Sequence, residues 1–495
     1  MRLIRPLTLA APLPLFGVEA SRRIESLAAA PLPPHALMQR AGLAVARLAM
    51  AIAPRARSIW IACGPGNNGG DGFEAALHLA ARGFAPVVTF AGDEARLPQD
   101  AAASLRRLRA AGVALAGEPP AQSDLTIDAL LGLGARRAPE GTMADWLRHM
   151  RCGPAPLLSV DLPSGLDADS GGLPADAGTS HASAAPRFCL SLLTLKPGLF
   201  TAQGRDAAGE VWFDGLGCPP PAEVPPDALL AAVPAPRLRP HASHKGSYGD
   251  VAVIGGAEGM AGAAVLAATA ALHAGAGRVF VGLLAPSATS ADWDTAQPEL
   301  MFRAPDTLAL NQQAVVCGCG GGEAVRAVLP RLIDEARALV LDADALNALA
   351  LDAALREAVA RRAGRGQPTV LTPHPLEAAR LAGCGTAEIQ ADRLRHAHEL
   401  AQALACTVLL KGSGSVIASP GETPRINPTG NALLATAGTG DVLAGMVGAA
   451  LAAGLAPLDA ACQGAWRHGE LADRWEAGTP LTAAALARRA GRAGS

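Results

Sequence analysis

The stretch SIWIACGPGNNGGDGF, residues 58–73, joins a short apolar run to a glycine-rich loop and to the start of an amphipathic segment. It predicts a strand over Ser58–Cys63, a helix near Phe73–Arg82 and a second strand over Pro86–Ala91. A strand, a tight loop and a helix in this order are typical of a βαβ unit in a largely parallel sheet. Ligands of such sheets bind at the carboxyl ends of the strands, where the glycine loop would lie.

The same alternation of short apolar runs with amphipathic or alanine-rich segments continues along the chain and predicts an α/β fold in both halves. Further strands are predicted over Leu125–Ala129, Leu157–Asp161, Asp250–Ile254, Val279–Leu284, Ala314–Cys317, Ala338–Asp342 and Thr407–Leu410. An alanine-rich helix is predicted over Val442–Leu455.

A proline-rich stretch divides the chain. With 495 residues the protein is too long for one ordinary core, so two domains are expected. Residues 218–240 include CPPPAEVPP and three later prolines, which disfavour a helix or a central strand and indicate a semi-rigid linker. We therefore predict domains at residues 1–217 and 241–495, joined by this linker.

Composition excludes several classes of function. Half of the residues are apolar, 17% are charged and the net charge is -2, which indicates a globular protein without a basic surface for nucleic acid. Nine cysteines show no CxxC spacing, and the lone CxC of Cys317 and Cys319 is interpreted as structural, in a reducing compartment. Prolines interrupt the apolar N-terminus, and no run approaches the ~20 apolar residues of a membrane span. A cytoplasmic protein without a membrane partner is predicted.

Lysine is rare in this sequence. Only Lys196, Lys245 and Lys411 occur, and arginine supplies every other long basic side chain. A chain that uses arginine almost everywhere keeps lysine where a compact ammonium group is needed, which favours functional roles for these three positions. The alternative is that a codon-biased genome leaves few lysines and that their positions are chance.

Oxygen-bearing side chains follow predicted strands in the first half. The glycines of loop 64–72 allow a positive φ and let the backbone approach a ligand, and Asn67 and Asn68 add amide oxygens that can coordinate a monovalent cation. DALLGLG begins at Asp128, and VDLPSGLD places Asp161 after the next strand. Each aspartate alone could be a turn or capping residue. Together with the loop they predict a ligand site on one rim of the sheet.

The strings GPGNNGGDG, DALLGLG and VDLPSGLDAD, with LMQRAG at residues 37–42, resemble the NAD(P)H-hydrate epimerase domain over residues 1–217. The resemblance implies a Rossmann-like three-layer α/β/α domain that holds potassium with Asn68, Asp128 and Ser164. The hydrated nicotinamide nucleotide would contact Asn67, Asn68, Gly69, Gly70, Asp71, Gly132, Leu133, Gly134, Ala135, Arg136, Arg137, Ala138 and Asp161. The sequence departs from the family at Leu133, usually a small polar residue, and in Arg187–Ser191, which is usually rich in threonine.

Epimerisation inverts the carbon that bears the added hydroxyl, so a proton must move while water leaves and returns or while the ring opens. A carboxylate beside the nicotinamide can carry that proton, and Asp161 is the candidate catalytic residue. Lys196, in KPGL, also matches a family position and is expected nearby.

The second half carries motifs suited to phosphoryl transfer. GTGD at residues 438–441 precedes the predicted helix, whose first N–H groups would stabilise charge on a transferred phosphoryl group. Asp441 is placed to accept the proton of an attacking hydroxyl. KGSGS at residues 411–415 offers a cation and N–H groups for nucleotide phosphates, while His374 lies at a strand end or caps the next helix. A glycine turn at a helix start is also common as plain structure.

The strings HKGSYG, GGAEGMAGAA, DADALN, TPHP, KGSGS and GTGD occur in this order from residue 244 to residue 441. The set resembles the ribokinase-like ADP/ATP-dependent NAD(P)H-hydrate dehydratases, from about residue 241 to the end. The hydrate would contact Ala263, Gly320, His374 and Asp441, and the adenine nucleotide would contact Lys411, Gly412, Ser413, Gly414, Ser415 and Gly440. Mg²⁺ would accompany ADP or ATP. One departure is GCGGG around Cys319, where the family usually has GPGLG.

The two resemblances together point to bifunctional NAD(P)H-hydrate repair enzymes. The first half would interconvert the R and S hydrates of NADH or NADPH. The second would phosphorylate the S-epimer at the expense of ADP or ATP, with Asp441 as the base, and then release phosphate; a homo-oligomer is also implied. Two alternatives stay open: a vitamin or sugar kinase that releases a stable phosphoester, and a first half that is a non-catalytic binding module.

Overall fold

The computed structural model describes residues 1–134, 138–174, 185–236, 239–285, 294 and 296–491, which form two compact units. Unit 1 comprises Met1–Arg5 and Pro14–Ala228, and unit 2 comprises Pro6–Leu13 and Leu229–Ser495. The short strand Leu13–Leu15 lies where the chain passes from unit 2 to unit 1.

Unit 1 contains a sheet whose strands are parallel except at one edge. In hydrogen-bonded order the strands are Arg2–Leu3, Glu210–Asp214, Arg187–Leu192, Leu157–Val160, Leu125–Ala129, Ile59–Cys63, Pro86–Phe90 and Leu115–Ala116. Only the pairing of Arg2–Leu3 with Glu210–Asp214 is antiparallel among these neighbours. The helices are Val18–Ala29, Ala36–Ile52, Asn67–Ala80, Gln99–Ala110, Thr142–Cys152 and Gly204–Ala208.

Alternate residues of the strand Ile59–Cys63 show that helices cover both faces of this sheet. Ile59 and Ile61 are buried in a cluster with residues of the helices Ala36–Ile52 and Asn67–Ala80. Trp60 is fully buried in a separate cluster with residues of the helix Thr142–Cys152. Its indole N–H donates to Thr89 Oγ1 at 2.9 Å, which offsets the cost of removing that N–H from water. The result is the predicted three-layer α/β/α arrangement.

Unit 2 is built around a larger sheet. In hydrogen-bonded order its strands are Met301–Phe302, Arg278–Leu283, Asp250–Gly255, Gln313–Cys317, Ala338–Leu341, Thr369–Leu371, Thr407–Leu410, Val416–Ala418, Arg425–Ile426 and Ala228–Leu230. The helices are Ala261–His273, Val325–Glu335, Ala343–Leu351, Ala353–Gly364, Pro375–Ala382, Thr386–Ala391, Arg393–Ala403, Thr439–Ala452, Pro457–Asp473 and Ala483–Arg489.

The parallel strands of unit 2 are also covered on both faces. Val315 and Cys317 are buried with residues of the helices Val325–Glu335 and Ala343–Leu351. Ala314 and Val316, one position out of phase, are buried with residues of the helices Ala261–His273 and Thr439–Ala452. Burial on both faces explains why these strands are continuous apolar runs in the sequence rather than alternating patterns.

Two helices begin earlier than predicted. The helix expected near Phe73 begins at Asn67, and the helix expected at Val442 begins at Thr439. No glycine of loop 64–72 has a positive φ, contrary to our interpretation. A Cβ on Gly69 would instead lie 2.0 Å from the carbonyl oxygen of Gly64. Glycine is required there because the helix start packs closely on the preceding loop.

Part of the proline-rich stretch 218–240, which was predicted to be a linker, belongs to the folded units. Val224 is buried in unit 1, and Ala228–Leu230 forms a strand that pairs with Arg425–Ile426 in unit 2. The physical reason is the placing of the prolines, since residues 227–233 between Pro226 and Pro234 contain none and can form strand hydrogen bonds.

None of the helices within the described residues is long and apolar enough to cross a membrane.

Candidate active sites

Unit 1 contains a cavity of about 820 Å³ where its parallel strands end, a volume typical of small-molecule sites. Predicted hydrate-binding residues on its wall are Asn67, Asn68, Asp71, Gly132, Leu133, Gly134 and Asp161. Gly69 and Gly70 are buried in the first turn of the helix, and Ala138 is exposed. The predicted residues Ala135, Arg136 and Arg137 lie outside the described part of the chain.

Asp161 and Lys196 form an ion pair at the base of this cavity. Asp161 follows the strand Leu157–Val160 with a φ of 66°, and its Oδ1 also accepts the backbone N–H of Leu192 at 3.0 Å. Lys196 is 1% exposed, and its ammonium group donates to the Leu192 carbonyl at 2.9 Å. The lysine therefore fixes one oxygen of a carboxylate that lines the cavity.

Two further carboxylates near Asp161 surround the same space. Glu25 lines the cavity from the helix Val18–Ala29, and burial by the surrounding protein together with Asp161 raises its pKa. Burial, Asp161 and Glu25 raise the pKa of Asp71 well above its ordinary value. Closely placed carboxylates do not all ionise together, so this wall can both give and accept protons. Glu25 was missed by the sequence interpretation, because it stands mid-helix without a motif around it.

The structure brings Asp128 and Ser164 of the predicted potassium site into direct contact. Ser164 Oγ lies 2.5 Å from Asp128 Oδ1, and the Ser164 N–H donates to Asp128 Oδ2 at 2.9 Å. Burial raises the pKa of Asp128, and the hydrogen bonds from Ser164 oppose this. The buried Arg151 guanidinium donates to the Ser164 carbonyl at 2.7 Å, so this carboxylate already faces one cation.

Asn68 lies beside the loop at Gly132, where a Cβ would stand 3.2 Å from Asn68 Oδ1. Its amide nitrogen is buried without a hydrogen-bond partner in the part of the chain described. One carboxylate, one hydroxyl and one amide form a weakly charged donor set. Such a set fits a large monovalent ion better than Mg²⁺, which prefers more carboxylates and its own water shell.

In unit 2, Asp441 is the third residue of the helix Thr439–Ala452. Burial and the neighbouring Asp342 raise its pKa to about 6, against the lowering effects of Cys319 and Lys411. His468 holds this helix start by contacting the Thr439 carbonyl at 2.9 Å. Burial lowers the pKa of His468 to about 4, so the ring is neutral near pH 7 and its N–H donates to that carbonyl. The free N–H groups of the helix start are thereby held beside a base with a near-neutral pKa.

Lys411 lies between two carboxylates and the GTGD turn. Its Nζ is 2.7 Å from Asp342 Oδ1 and 4.0 Å from Glu377 Oε2, and a Cβ on Gly440 would be 3.3 Å from it. Burial acts to lower the pKa of Lys411, but the two carboxylates outweigh it and raise the pKa. Two of the three lysines, Lys196 and Lys411, are thus paired with an aspartate at a candidate site.

The glycine loop that follows Lys411 is held from behind by Arg393. A Cβ on Gly412, which has a φ of 143°, would lie 2.7 Å from the Arg393 guanidinium. Arg393 donates to the carbonyl of Leu410 at 3.2 Å and of Lys411 at 3.1 Å, and Ser415 Oγ donates to the Gly412 carbonyl at 3.2 Å. Sequence reasoning missed Arg393, which lies at the start of the helix Arg393–Ala403 without a motif.

The predicted hydrate contacts of unit 2 divide into two groups. Ala263 and Gly320 are neighbours, since a Cβ on Gly320 would lie 2.9 Å from the Ala263 Cβ. His374 caps the helix Pro375–Ala382, the alternative left open by the sequence: its Nδ1 accepts the N–H groups of Leu376 and Glu377 at 3.1 and 3.3 Å. Its role as a hydrate contact stays a prediction.

Comparison with known proteins finds matches for both halves of the chain. Residues 34–198 match the family model described as YjeF-related protein N-terminus, and residues 251–491 match that described as NAD(P)H-hydrate dehydratase. The bifunctional NAD(P)H-hydrate repair enzyme of Escherichia coli is 38% identical over 455 residues, covering 89% of this chain and 85% of that protein.

Two further relatives match one half of the chain. The ADP-dependent (S)-NAD(P)H-hydrate dehydratase of Neisseria meningitidis is 42% identical over 261 residues, 51% of this chain and 85% of that protein. A crystal structure of the ADP/ATP-dependent NAD(P)H-hydrate dehydratase of Bacillus subtilis, co-crystallised with ATP/Mg²⁺, is 29% identical. Its TM-score is 0.42, and the match covers 52% of this chain and 92% of that one. By its similarity along both halves to the Escherichia coli enzyme, the chain belongs to the family of bifunctional NAD(P)H-hydrate repair enzymes.

Proposed function

We propose that this protein repairs hydrated NADH and NADPH in two steps. Unit 1 interconverts the R and S hydrates, and unit 2 restores the reduced nicotinamide from the S-epimer at the expense of ADP or ATP. The observation that carries the proposal is Asp441, a partly buried base with a pKa of about 6 in the first turn of a helix, with Lys411 beside that turn. A hydroxyl is a poor leaving group until it is phosphorylated, and this arrangement suits its phosphorylation.

In the epimerase step, Asp161 carries the proton that moves when the hydroxyl-bearing carbon inverts. The Lys196 ammonium group holds one carboxylate oxygen and leaves the side chain at the cavity wall. Glu25 and Asp71, which line the same cavity and have raised pKa values, supply further proton-exchanging groups for the water or hydroxyl that leaves the ring.

In the dehydratase step, Asp441 accepts the proton of the substrate hydroxyl while the hydroxyl oxygen attacks the terminal phosphorus of the nucleotide. The P–O bond to the nucleotide breaks, and AMP leaves when ADP is used. The N–H groups of the helix start and the Lys411 ammonium group stabilise charge on the transferred group, while Mg²⁺ enters as part of the nucleotide substrate. Phosphate then leaves the carbon, a neighbouring ring proton is lost and the dihydropyridine is restored.

The stoichiometry of the S-hydrate reaction separates repair from the rival kinase. We expect the purified full chain to release one AMP and one phosphate for each reduced nicotinamide that reappears by absorbance, with ADP as nucleotide. A stable phosphorylated product, with no return of absorbance, would support the kinase instead.

We propose that potassium is held by Asp128, Ser164 and Asn68 and anchors the glycine loop against the neighbouring strand. Replacing potassium with tetramethylammonium at equal ionic strength should lower the epimerase rate by roughly five- to tenfold, equivalent to ~1 kcal/mol of lost ordering. Asp128→Ala and Ser164→Ala should each remove the difference between the two salts. The dehydratase rate of the same samples serves as the folding control, and equal epimerase rates of the unmodified protein in both salts would disprove the site.

Lys411 is proposed to meet the nucleotide phosphates. Lys411→Ala should raise the apparent KM for ADP by roughly tenfold because a charge-assisted contact is lost, and should leave the epimerase rate unchanged. Lys411→Arg keeps the charge but not the compact ammonium group, and we expect it to recover only part of the affinity. If the apparent KM of the alanine variant for ADP is unchanged, Lys411 does not contact the nucleotide and its role is only to pair with Asp342.

A further inference from the structure

Cys319 lies in a tightly constrained loop, residues 318–322, that follows the strand Gln313–Cys317. Gly318 and Gly320 on either side of it have φ values of 115° and 59°. A Cβ on Gly318 would stand 1.9 Å from the Asp342 carbonyl oxygen, so other residues cannot enter without moving the backbone. The Cys319 carbonyl also accepts the Gly256 N–H at 3.0 Å. The loop therefore holds the direction of the Cys319 side chain.

The sulfur of Cys319 is completely buried and points into the dehydratase site. It lies within 4.8 Å of a carboxylate oxygen of Asp342 and of one of Asp441, so both carboxylates are direct neighbours of the thiol. Burial and the two aspartates raise the pKa of the thiol well above its ordinary value. The group is therefore a protonated thiol, which is a weak hydrogen-bond donor placed beside two carboxylates.

We propose that Cys319 is a positioning residue of the dehydratase, whose thiol donates a hydrogen bond to Asp441, fixes that carboxylate and keeps it ionised at neutral pH. This inference rests on the proposed role of Asp441 as the base and extends it to a residue that does not touch the reacting atoms. A donor to the charged form of a carboxylate lowers its pKa, so the thiol opposes burial.

Several other groups face Asp441 and set the background for this effect. Asp342 and Asp344 act to raise its pKa, and Lys411 acts to lower it. Glu377, which is paired with His374, lies 4.0 Å from the Lys411 ammonium group, and the neutral His468 contacts the Thr439 carbonyl. Because two carboxylates oppose one ammonium group, loss of the thiol donor should favour the protonated, inactive form of Asp441.

The test uses the full chain with saturating Mg·ADP and measures the rate constant for dehydration of the S-hydrate between pH 5 and pH 8. A base must be deprotonated, so the rate should fall as the pH drops through its pKa. Cys319→Ala and Cys319→Val, which lack a donor, should move this acid limb upward by about half a pH unit or more. Their rates should drop about threefold at pH 5, about twofold at pH 6 and little at pH 8. Cys319→Ser, which keeps a donor, should retain the original limb.

Two results would overturn the inference. One is a loss of rate by the same factor at every pH in both donor-free variants, which indicates a packing role. The other is an acid limb that stays in place in a folded variant, as judged by an unchanged melting temperature. Asp441→Asn separates this inference from the base role: if that variant still turns over normally, the base assignment itself fails. If Asp441→Asn is inactive but the acid limbs of the Cys319 variants do not move, only the proposed role of the thiol is overturned.

Discussion

Asp441→Asn should lower dehydration of the S-hydrate by on the order of a hundredfold or more, while binding of ADP and hydrate stays largely intact. The substitution keeps the size of the side chain at the start of the helix Thr439–Ala452 but removes the basic oxygen. The loss should appear in kcat rather than KM, because proton acceptance occurs only as the hydroxyl attacks. Single-turnover measurement of AMP release with S-hydrate and ADP gives the rate directly.

The epimerase of the same chain is the internal control for Asp441→Asn, because unit 1 does not contain this residue. Asp344→Asn is a matched variant: it removes a nearby acidic charge that hydrogen-bonds to the Gly322 N–H at 2.8 Å but is not placed as the base. Asp344→Asn should lower kcat for dehydration far less than Asp441→Asn does. Near-normal turnover by a folded Asp441→Asn protein contradicts the assignment.

Asp161→Asn should abolish most of the epimerase activity, by on the order of a hundredfold, and leave the dehydratase unchanged. Asparagine tolerates a φ of 66° as well as aspartate does, so the backbone is not the cause of the loss. The exchange also leaves the buried Lys196 ammonium group without its counter-charge, and we expect a lower melting temperature. Conversion of R-hydrate to S-hydrate, followed by chromatography, is the measurement.

Asp145→Asn is the matched control for Asp161→Asn, because Asp145 is an exposed aspartate of unit 1 paired only at the surface with Arg148. Its variant should match the unmodified protein in rate and stability. An Asp161→Asn protein that is folded at the assay temperature yet epimerises normally would assign the proton transfer to another carboxylate, of which Glu25 and Asp71 are the nearest candidates.

The buried parallel strands could be predicted from the sequence, whereas strands such as Glu210–Asp214, Ala228–Leu230 and Val416–Ala418 were missed. Leu125–Ala129 and Thr407–Leu410 have the bounds expected for them, and the other predicted strands differ by one residue at one or both ends. The reason is physical, since strands buried on both faces need continuous apolar runs, and runs this short between glycines and prolines are too short for a buried helix. The α/β class of both units followed from the same pattern, whereas the three-layer arrangement was implied by the family resemblance.

The starts of two helices could not be predicted because local propensity and tertiary packing oppose each other there. Glycine disfavours a helix interior, so Gly69 and Gly440 were placed in loops. In the structure Gly69 is helical because only glycine fits against the Gly64 carbonyl, a contact that no local pattern reveals.

Only those residues of the candidate sites that belong to a sequence motif could be predicted. The ion pair of Asp161 with Lys196 joins two strand ends whose residues are each part of a quoted string. Glu25 and Arg393 belong to no such string, and the fold alone brings them to their sites. Cys319 was quoted only as a departure from the family and was interpreted as structural, although the fold places its sulfur beside Asp441. The capping role of His374 was one of two alternatives, and the flanking prolines did not distinguish them.

The central claim is that one chain carries both reactions, and purified R-hydrate tests it most directly. The full chain is mixed with R-hydrate, Mg·ADP and potassium, and the return of reduced-nicotinamide absorbance is followed beside the spontaneous epimerisation rate measured in buffer. We expect complete, ADP-dependent recovery at a rate well above the spontaneous one, with Asp161→Asn limited to the spontaneous rate and Asp441→Asn giving almost no recovery. Recovery from R-hydrate by the unmodified protein no faster than spontaneous epimerisation, or no recovery with ADP or ATP, would contradict the account.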